Sequence, residues 1–173
     1  MAKDTELQLP IKVLFVCMAN VCRSPMAHAI FEEIIQAAEL EDKIKVDSAG
    51  VRSKDKGKPP DARARKVALD ADYDMSHLRS RRTNASDYRD YHYILAMDSG
   101  VLEKIEGEKP DGCESEVRLL LDYADKLKER EVPDPYYSKA SDFQRVLQLV
   151  EEGCFGLFET IIKRHFSIKP LED

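Results

Sequence analysis

The sequence lacks the features of a membrane-spanning, secreted or lipid-anchored protein. No apolar run among its 173 residues approaches the length of a membrane span, and residues 1–10 show neither a signal-peptide pattern nor a lipidation motif. The four cysteines are irregularly spaced, which excludes a disulfide framework in a chain of this size. Cys17 and Cys22 have no second Cys or His pair near them, so we expect no structural zinc site. A reduced, cytoplasmic protein is the simplest expectation.

The composition also lacks the basic excess that nonspecific nucleic-acid binding requires, since the formal net charge is −6. The negative net charge does not exclude a phosphate-bearing substrate, because a few hydrogen-bond donors close to the phosphate outweigh charges that lie far from it. A content of 43% hydrophobic and 35% charged residues is typical of globular proteins. The length suits one domain over residues 1–173, with residues 1–10 as a flexible N-terminal extension.

The segment from Cys17 to Pro25 carries most of the chemical information. Cys17 ends an apolar run at residues 11–16, and Arg23 follows it with five residues between them. A turn from a strand into a helix gathers backbone N–H groups at the positive helix end, which suits a phosphate-sized anion. Arg23 adds planar donors for two oxygens, and the positive field favours the thiolate form of Cys17. The segment therefore predicts covalent phosphoryl transfer.

On these residues alone, a plainer interpretation stays open. Cysteine often serves as a small buried hydrophobe, and a C-x5-R pattern also occurs by chance. The placement of the pattern favours a site. Ser24 and Pro25 are typical of a helix entry, with Ser24 as the capping side chain. Asn20 tolerates the left-handed backbone that a tight loop around an anion requires.

Strand and helix patterns alternate along the chain. The predicted strands cover residues 11–17, 44–47, 91–97 and 117–121, and the predicted helices cover residues 24–40, 62–71, 99–105 and 140–165. Gly153 and Gly156 weaken the last helix, and the sequence leaves open whether that helix bends. The alternation predicts a parallel sheet with helices on both faces. Ligands of such sheets bind at the carboxyl ends of strands, where Cys17 lies.

With these motifs the chain resembles the low-molecular-weight protein tyrosine phosphatases from about residue 11 to residue 154. The matching blocks are residues 16–27 (VCMANVCRSPMA), 46–50, 59–64, 76–77, 96–98 and 132–137 (VPDPYY), the last being the family's general-acid loop. The resemblance implies an α/β, doubly wound, parallel four-stranded sheet of flavodoxin-like order 2-1-3-4. It also implies a monomer or weak dimer that acts on phosphotyrosine proteins or small aryl phosphates.

The resemblance implies a role for each matching residue. Cys17 would be the nucleophile that forms a phosphocysteine, and Asp134 would be the general acid and then the general base. Arg23 would stabilise the transferring phosphoryl group, and Ser24 would donate its hydroxyl to the thiolate. The backbone N–H groups that would bind the phosphate belong to Met18, Ala19, Asn20, Val21, Cys22 and Arg23. No metal or cofactor is implied, because the arginine and the amides supply the positive charge.

Further residues would shape and protect this site. The resemblance makes Tyr136 and Tyr137 walls for an aromatic ring, and it places Ser48 and His77 behind Asn20, where they would lock the loop. The tyrosine pair also has a plainer interpretation as packing residues, and His77 as an ordinary surface histidine.

Structural interpretations also apply to the other cysteines and to two aspartates. The resemblance implies that Cys22 can trap an oxidised nucleophile as a disulfide, although a small loop filler explains it as well. Asp134 between two prolines is also typical of a simple turn, and Asp98 is expected to cap the helix that follows it. The remaining cysteines, Cys113 and Cys154, are expected to be structural.

The sequence departs from the family pattern at three places. Ala19 replaces a glycine, which would strain the loop if that position needs a positive φ. Ser138 stands where a glycine often follows the tyrosine pair. Lys54, followed by Asp55 and Lys56, occupies the position of a large apolar residue beside the pocket. We expect this basic segment to favour acidic residues around the phosphotyrosine.

Three other functions compete on the same pattern. A protein arginine phosphatase shares the thiol and the arginine, but Val21 and the tyrosine pair favour a phenolic substrate, since threonine is typical of arginine phosphatases at the position of Val21. Arsenate reduction needs further cysteines, and residues 83–93 contain none. A phosphotyrosine-binding module would lack the nucleophile or the acid, and both are present.

Overall fold

The computed structural model describes residues 9–54, 56–136 and 139–166. Its elements, in chain order, are β1 (Ile11–Cys17), α1 (Arg23–Ala37), β2 (Ile44–Gly50), α2 (Ala62–Asp70), α3 (Asp87–Asp90), β3 (Tyr93–Ala96), α4 (Ser99–Glu108), β4 (Glu116–Leu119), a short 3-10 helix (Leu120–Tyr123) and α5 (Ala140–His165). The predicted flexible extension lies outside the described residues except for Leu9 and Pro10. Asp55, Tyr137 and Ser138 lie outside them as well.

The four strands form one parallel sheet in the order β2-β1-β3-β4, which confirms the predicted fold class and strand order. β1 lies inside the sheet and pairs with β2 along its whole length, so that Cys17 stands opposite Gly50. The chain leaves β1 toward β2 on one side and reaches β3 on the other. Cys17 therefore ends a strand at the point where the strand order reverses, which is where such sheets bind ligands.

Side chains of β1 are buried on both faces of the sheet, which explains its nearly continuous apolar sequence. Val13 and Phe15 pack into the core that α1, α2 and α5 cover, and the Phe15 ring meets the Phe31 ring edge-on at 5.5 Å. Leu14 and Val16 face the opposite side, which α3 and α4 cover. The helices thus lie on both faces, as predicted.

The observed bounds of several elements differ from the predicted ones. β2 continues to Gly50, because residues 48–50 pair with residues 15–17 of β1. The strand predicted at residues 117–121 is shorter, since the chain turns into the 3-10 helix after Leu119. The short helix α3 was not predicted, and α4 continues to Glu108.

The two glycines of α5 are sites of close contact within a continuous helix. A Cβ atom on Gly156 would lie 1.8 Å from the carbonyl oxygen of Tyr123, and one on Gly153 would lie 2.6 Å from Cγ of Leu120. The 3-10 helix therefore packs directly against the backbone of α5. Glycine permits this approach because it has no Cβ atom.

Candidate active site

Cys17 lies at the base of a loop that connects β1 to α1. Its side chain is buried, and its Sγ atom is 3.0 Å from Oγ of Ser24. The backbone N–H of Asn20 points at the same sulfur, with nitrogen and sulfur 3.3 Å apart. Both contacts can donate hydrogen bonds, and such contacts favour a negative charge on sulfur.

The loop is held from outside through its carbonyl groups. The carbonyl of Met18 accepts from the N–H of Arg52 at 2.8 Å, and that of Val21 accepts from the N–H of Asp61 at 2.8 Å. The end of β2 presses against the same loop, since a Cβ atom on Gly50 would lie 2.7 Å from the carbonyl carbon of Ala19. These contacts fix the loop from outside, as a preorganised anion site requires.

Asn20 is the loop residue with left-handed backbone, at φ 60°. Ala19 has no positive φ, so its replacement of the family glycine carries none of the strain considered above. The carbonyl oxygen of the Asn20 side chain accepts from the N–H of Arg81 at 3.0 Å, which directs the amide nitrogen to Oγ of Ser24 at 2.8 Å. The Ser24 oxygen therefore accepts from Asn20, and its one proton has two acceptors within reach, the sulfur of Cys17 at 3.0 Å and the carbonyl oxygen of Ala49 at 3.3 Å.

The prediction that Ser24 caps α1 is wrong. The helix begins at Arg23, Cys22 is the residue that precedes it, and no side chain caps the first turn. Ser24 is buried, and it contacts Cys17, Asn20 and the carbonyl of Ala49 at 3.3 Å. Its hydroxyl serves the loop and the thiol, because the loop folds back over the start of the helix.

Arg23 is a buried arginine at the first position of α1. Its Nη1 donates to Oδ2 of Asp98 at 2.6 Å and to the carbonyl of Val132 at 3.0 Å, and its Nη2 lies 3.4 Å from Oδ2 of Asp134. Burial disfavours the charged guanidinium, but the nearby Cys17 and the hydrogen bond to Asp98 outweigh it and raise the pKa of Arg23. The guanidinium is thus fixed and charged beside the loop.

Asp134 lies on the segment that connects the 3-10 helix to α5. Its side chain is about half exposed, at 48%. Its Oδ1 accepts from the N–H of Tyr136 at 3.1 Å, and its Oδ2 faces Arg23. The structure therefore brings Cys17, Arg23 and Asp134 together from residues more than one hundred positions apart in the chain.

The two thiols of the loop have different surroundings. Burial, with a further contribution from the Asp61 carboxylate, raises the pKa of Cys22 well above its usual range. Cys22 is therefore a neutral thiol, whereas the sulfur of Cys17 lies beside the Ser24 hydroxyl and the Asn20 N–H. Cys17 and Cys22 are both free cysteines in the structure.

Ser48 and His77 do not take the places expected of them behind Asn20. Ser48 Oγ is bonded to Nδ1 of His28 at 2.9 Å, and Nε2 of His28 is 3.0 Å from Oε1 of Glu32. His77 contacts the other oxygen of Glu32 at 2.8 Å and is half exposed. The backbone N–H of Arg81 takes the expected place, and the guanidinium of Arg81 is itself held by Asp47 and Asp87.

The sequence analysis missed part of the role of Asp98 and the whole role of Arg81. Asp98 caps α4, as predicted, by accepting from the N–H of Val101 at 2.8 Å, but its second oxygen also binds Arg23. The position of Asp98 after β3, next to β1 in a parallel sheet, was the signal for this contact. Arg81 carried no comparable signal, because its role depends on a backbone N–H.

Three of the residues predicted to bind the substrate are exposed. Met18 and Tyr136 are exposed, at 36% and 44%, and Lys54 is exposed in the segment that follows β2. An open cavity of about 540 Å³ lies beside Asp98, Pro133 and Asp134. The partner of Tyr136 in the predicted ring pocket, Tyr137, lies outside the described residues.

Within residues 9–54, 56–136 and 139–166, no group of three or more His, Cys, Asp or Glu side chains could hold a metal ion. The same part of the chain contains no helix long and apolar enough to cross a membrane.

The fold and the site together define a class, the α/β proteins with a buried thiol and a buried arginine at the loop that follows an inner parallel strand. The sequence profile of the low molecular weight phosphotyrosine protein phosphatases matches residues 12–166. The chain belongs to this family.

Relatives and solved structures agree with this assignment. The chain is 38% identical over 156 residues to the low molecular weight protein-tyrosine-phosphatase YfkJ of Bacillus subtilis, which covers 88% of this chain and 97% of YfkJ. The crystal structure of YfkJ superposes with a TM-score of 0.85 at 35% identity, covering 91% of this chain and 98% of that one. The drosophila arginine phosphatase DARP superposes with a TM-score of 0.80 at 30% identity, covering 87% and 97%.

Proposed function

We propose that the protein hydrolyses phosphotyrosine monoesters through a phosphocysteine intermediate. The observation that carries the proposal is the meeting of three groups, since the Arg23 guanidinium beside the Cys17 loop is 3.4 Å from the Asp134 carboxylate. A thiol with hydrogen-bond donors, a fixed cation and an acid are the parts that phosphoryl transfer to sulfur requires. The substrates would be phosphotyrosine proteins or small aryl phosphates.

In the first step, the Cys17 thiolate attacks phosphorus as the bond from phosphorus to the phenolic oxygen breaks. The loop N–H groups of residues 18–23 and the Arg23 guanidinium stabilise the charge on the remaining oxygens. Asp134 gives its proton to the leaving phenolate oxygen. The products of this step are a phosphocysteine, a neutral phenol and an Asp134 carboxylate.

In the second step, water attacks the phosphorus of the phosphocysteine. The Asp134 carboxylate takes a proton from that water, and the bond from sulfur to phosphorus breaks. The electron pair returns to Cys17, where the Ser24 hydroxyl and the Asn20 N–H stabilise the thiolate. Phosphate leaves, and both catalytic groups are restored.

Phosphoarginine is the second candidate substrate, because the fold and thiol chemistry are shared with arginine phosphatases and the chain is similar to DARP. Val21 and Tyr136 favour the phenolic substrate. Val21 presents an apolar side chain that packs against the core, and Tyr136 offers an exposed ring beside Asp134.

The test is a comparison of initial rates on three peptides of one sequence, carrying phosphotyrosine, phosphoserine or phosphoarginine, with a chelator present. We expect kcat/KM for phosphotyrosine to exceed the other two by at least about 100-fold. The Cys17→Ser variant serves as the blank. A preference for phosphoarginine would show that phosphotyrosine is not the substrate. The absence of turnover in a folded protein that binds phosphate would show that the protein binds phosphate groups and does not hydrolyse them.

The exposed Lys54 and Lys56 predict a preference for acidic peptides. Both side chains are exposed on the segment that follows β2, whose last residue, Gly50, contacts the loop around Cys17. We expect the double variant Lys54→Ala/Lys56→Ala to lower the ratio of kcat/KM for acidic over neutral phosphopeptides by about 3–10-fold at roughly 0.1 M ionic strength, as the loss of two exposed ion pairs with the peptide implies.

A matched control is Lys43→Ala/Lys45→Ala, which removes two exposed lysines at the opposite end of β2. It should leave the ratio within about twofold, because that end lies roughly 20 Å from the loop around Cys17, about two Debye lengths at 0.1 M ionic strength. If both double variants change the ratio equally, net charge and not the segment beside the site sets the preference.

A further inference from the structure

The guanidinium of Arg63 joins the phosphate loop to the acid loop. Arg63 is the second residue of α2, two positions after Asp61, the residue that caps this helix. The Asp61 carboxylate accepts from the N–H of Arg63 at 2.8 Å, from its Nε at 3.1 Å and from its Nη2 at 3.0 Å. The backbone N–H of Asp61 in turn donates to the carbonyl of Val21 at 2.8 Å. Arg63 is thus anchored, through Asp61, to the loop that surrounds Cys17.

The same guanidinium reaches the acid loop. Its Nη2 donates to the carbonyl of Tyr136 at 2.8 Å, and its Cζ lies 5.8 Å from the centre of the Tyr136 ring. On the side of α5 it lies 4.7 Å from the centre of the buried Phe143 ring. A planar cation between two rings, with its N–H groups shared between a carboxylate and a carbonyl, has a fixed orientation.

Tyr136 passes this constraint on to Asp134. The N–H of Tyr136 donates to Oδ1 of Asp134 at 3.1 Å, and Nη2 of Arg23 donates to Oδ2 at 3.4 Å, so that a donor on each oxygen orients the carboxyl group. We propose that Arg63 is a positioning residue for the general acid, which holds Asp134 at the distance and orientation that protonation of the leaving group requires. The inference rests on the proposed function, because it assigns Arg63 a part in the same reaction.

A positioning role predicts a loss that depends on the leaving group. Phenolate is a poor leaving group and needs the proton from Asp134, whereas 4-nitrophenolate leaves with little help. We expect Arg63→Met to lower kcat/KM about tenfold or more for phenyl phosphate and by less than about twofold for 4-nitrophenyl phosphate. Arg63→Lys should lose nearly as much as Arg63→Met, because lysine keeps the charge but lacks the planar fork.

Three controls separate this role from a general structural one. The inhibition constant of inorganic phosphate should stay within about twofold in Arg63→Met, since the phosphate loop is unchanged. Arg65→Met, which removes another exposed arginine from the same helix, should leave both substrates unaffected. In an Asp134→Asn background, Arg63→Met should cost less than about twofold further, because the acid it positions is gone.

Equal losses on both aryl phosphates, an additive loss in the Asp134→Asn background, or full recovery by Arg63→Lys would each overturn the positioning role. The proposed function fails by a different result, namely no turnover of either substrate by the unaltered protein, or an Asp134→Asn variant with unchanged dependence on the leaving group. In that case the role of Arg63 fails with it.

Discussion

The variant Cys17→Ser is expected to lose about 10⁴-fold or more in turnover of a phosphotyrosine peptide. The groups around the Cys17 sulfur are the hydroxyl of Ser24 and the N–H of Asn20. Both suit an anion that is already formed, and neither is a base that could take a proton from a serine hydroxyl. Serine would therefore stay protonated and unreactive in a loop that still binds phosphate. The measurement is single-turnover kinetics together with the binding of inorganic phosphate by calorimetry.

The comparison variant is Cys22→Ser, in the same loop. Its expected loss is about tenfold or less, because Cys22 is a buried thiol whose raised pKa keeps it neutral. A loss of phosphate binding in Cys17→Ser would show that the loop had collapsed and would leave the nucleophile unproved. A large loss in Cys22→Ser with little loss in Cys17→Ser would contradict the assignment of the nucleophile.

The local part of the site was predictable from the sequence because it depends on neighbouring residues. The order of strand, loop and helix around Cys17 follows from the apolar run before it and the helical spacing after it. Asn20 has the left-handed backbone that its residue type suggested. The parallel sheet follows from alternation alone, and its order then places the ends of β1 and β3 side by side.

The parts that were mispredicted depend on contacts between distant residues. Ser24 reads as a helix cap because its neighbours suggest one, yet its hydroxyl is bound by Asn20 and by a carbonyl of β2. His77 was placed by resemblance, whereas the structure gives its place behind Asn20 to the backbone of Arg81. A backbone N–H leaves no signature in a single sequence, since every residue except proline has one.

The glycines of α5 are a second case in which contacts between distant residues decide what a residue does. In isolation, a glycine in a helix predicts a weak point, because its backbone loses more entropy on folding than that of any other residue. The contacts with the 3-10 helix give Gly153 and Gly156 a different meaning, as positions at which any side chain would collide. Only the packed structure distinguishes the two cases.

The variant Gly156→Ala is expected to lower the free energy of unfolding by about 3 kcal/mol or more. Its Cβ atom would meet the carbonyl oxygen of Tyr123 at 1.8 Å, and a backbone atom cannot turn aside as a side chain can. The variant Gly153→Ala should cost less, about 1–2 kcal/mol, because the group it meets is the movable side chain of Leu120. The measurement is urea unfolding of the unaltered protein, of these two variants and of Gly107→Ala.

Gly107 supplies the matched control for this series because it lies in α4 and a Cβ atom there would meet nothing within 4 Å. Alanine at that position should stabilise the protein by about 0.5–1 kcal/mol, through helix propensity alone. If Gly156→Ala were as stable as Gly107→Ala, the 3-10 helix could not be packed on the backbone of α5. If Gly153→Ala cost as much as Gly156→Ala, the difference between a rigid carbonyl and a movable side chain would not govern the cost. If contacts set the cost, the stability should rise in the order Gly156→Ala, Gly153→Ala, Gly107→Ala. If helix propensity alone acted, alanine would stabilise the protein equally at all three positions.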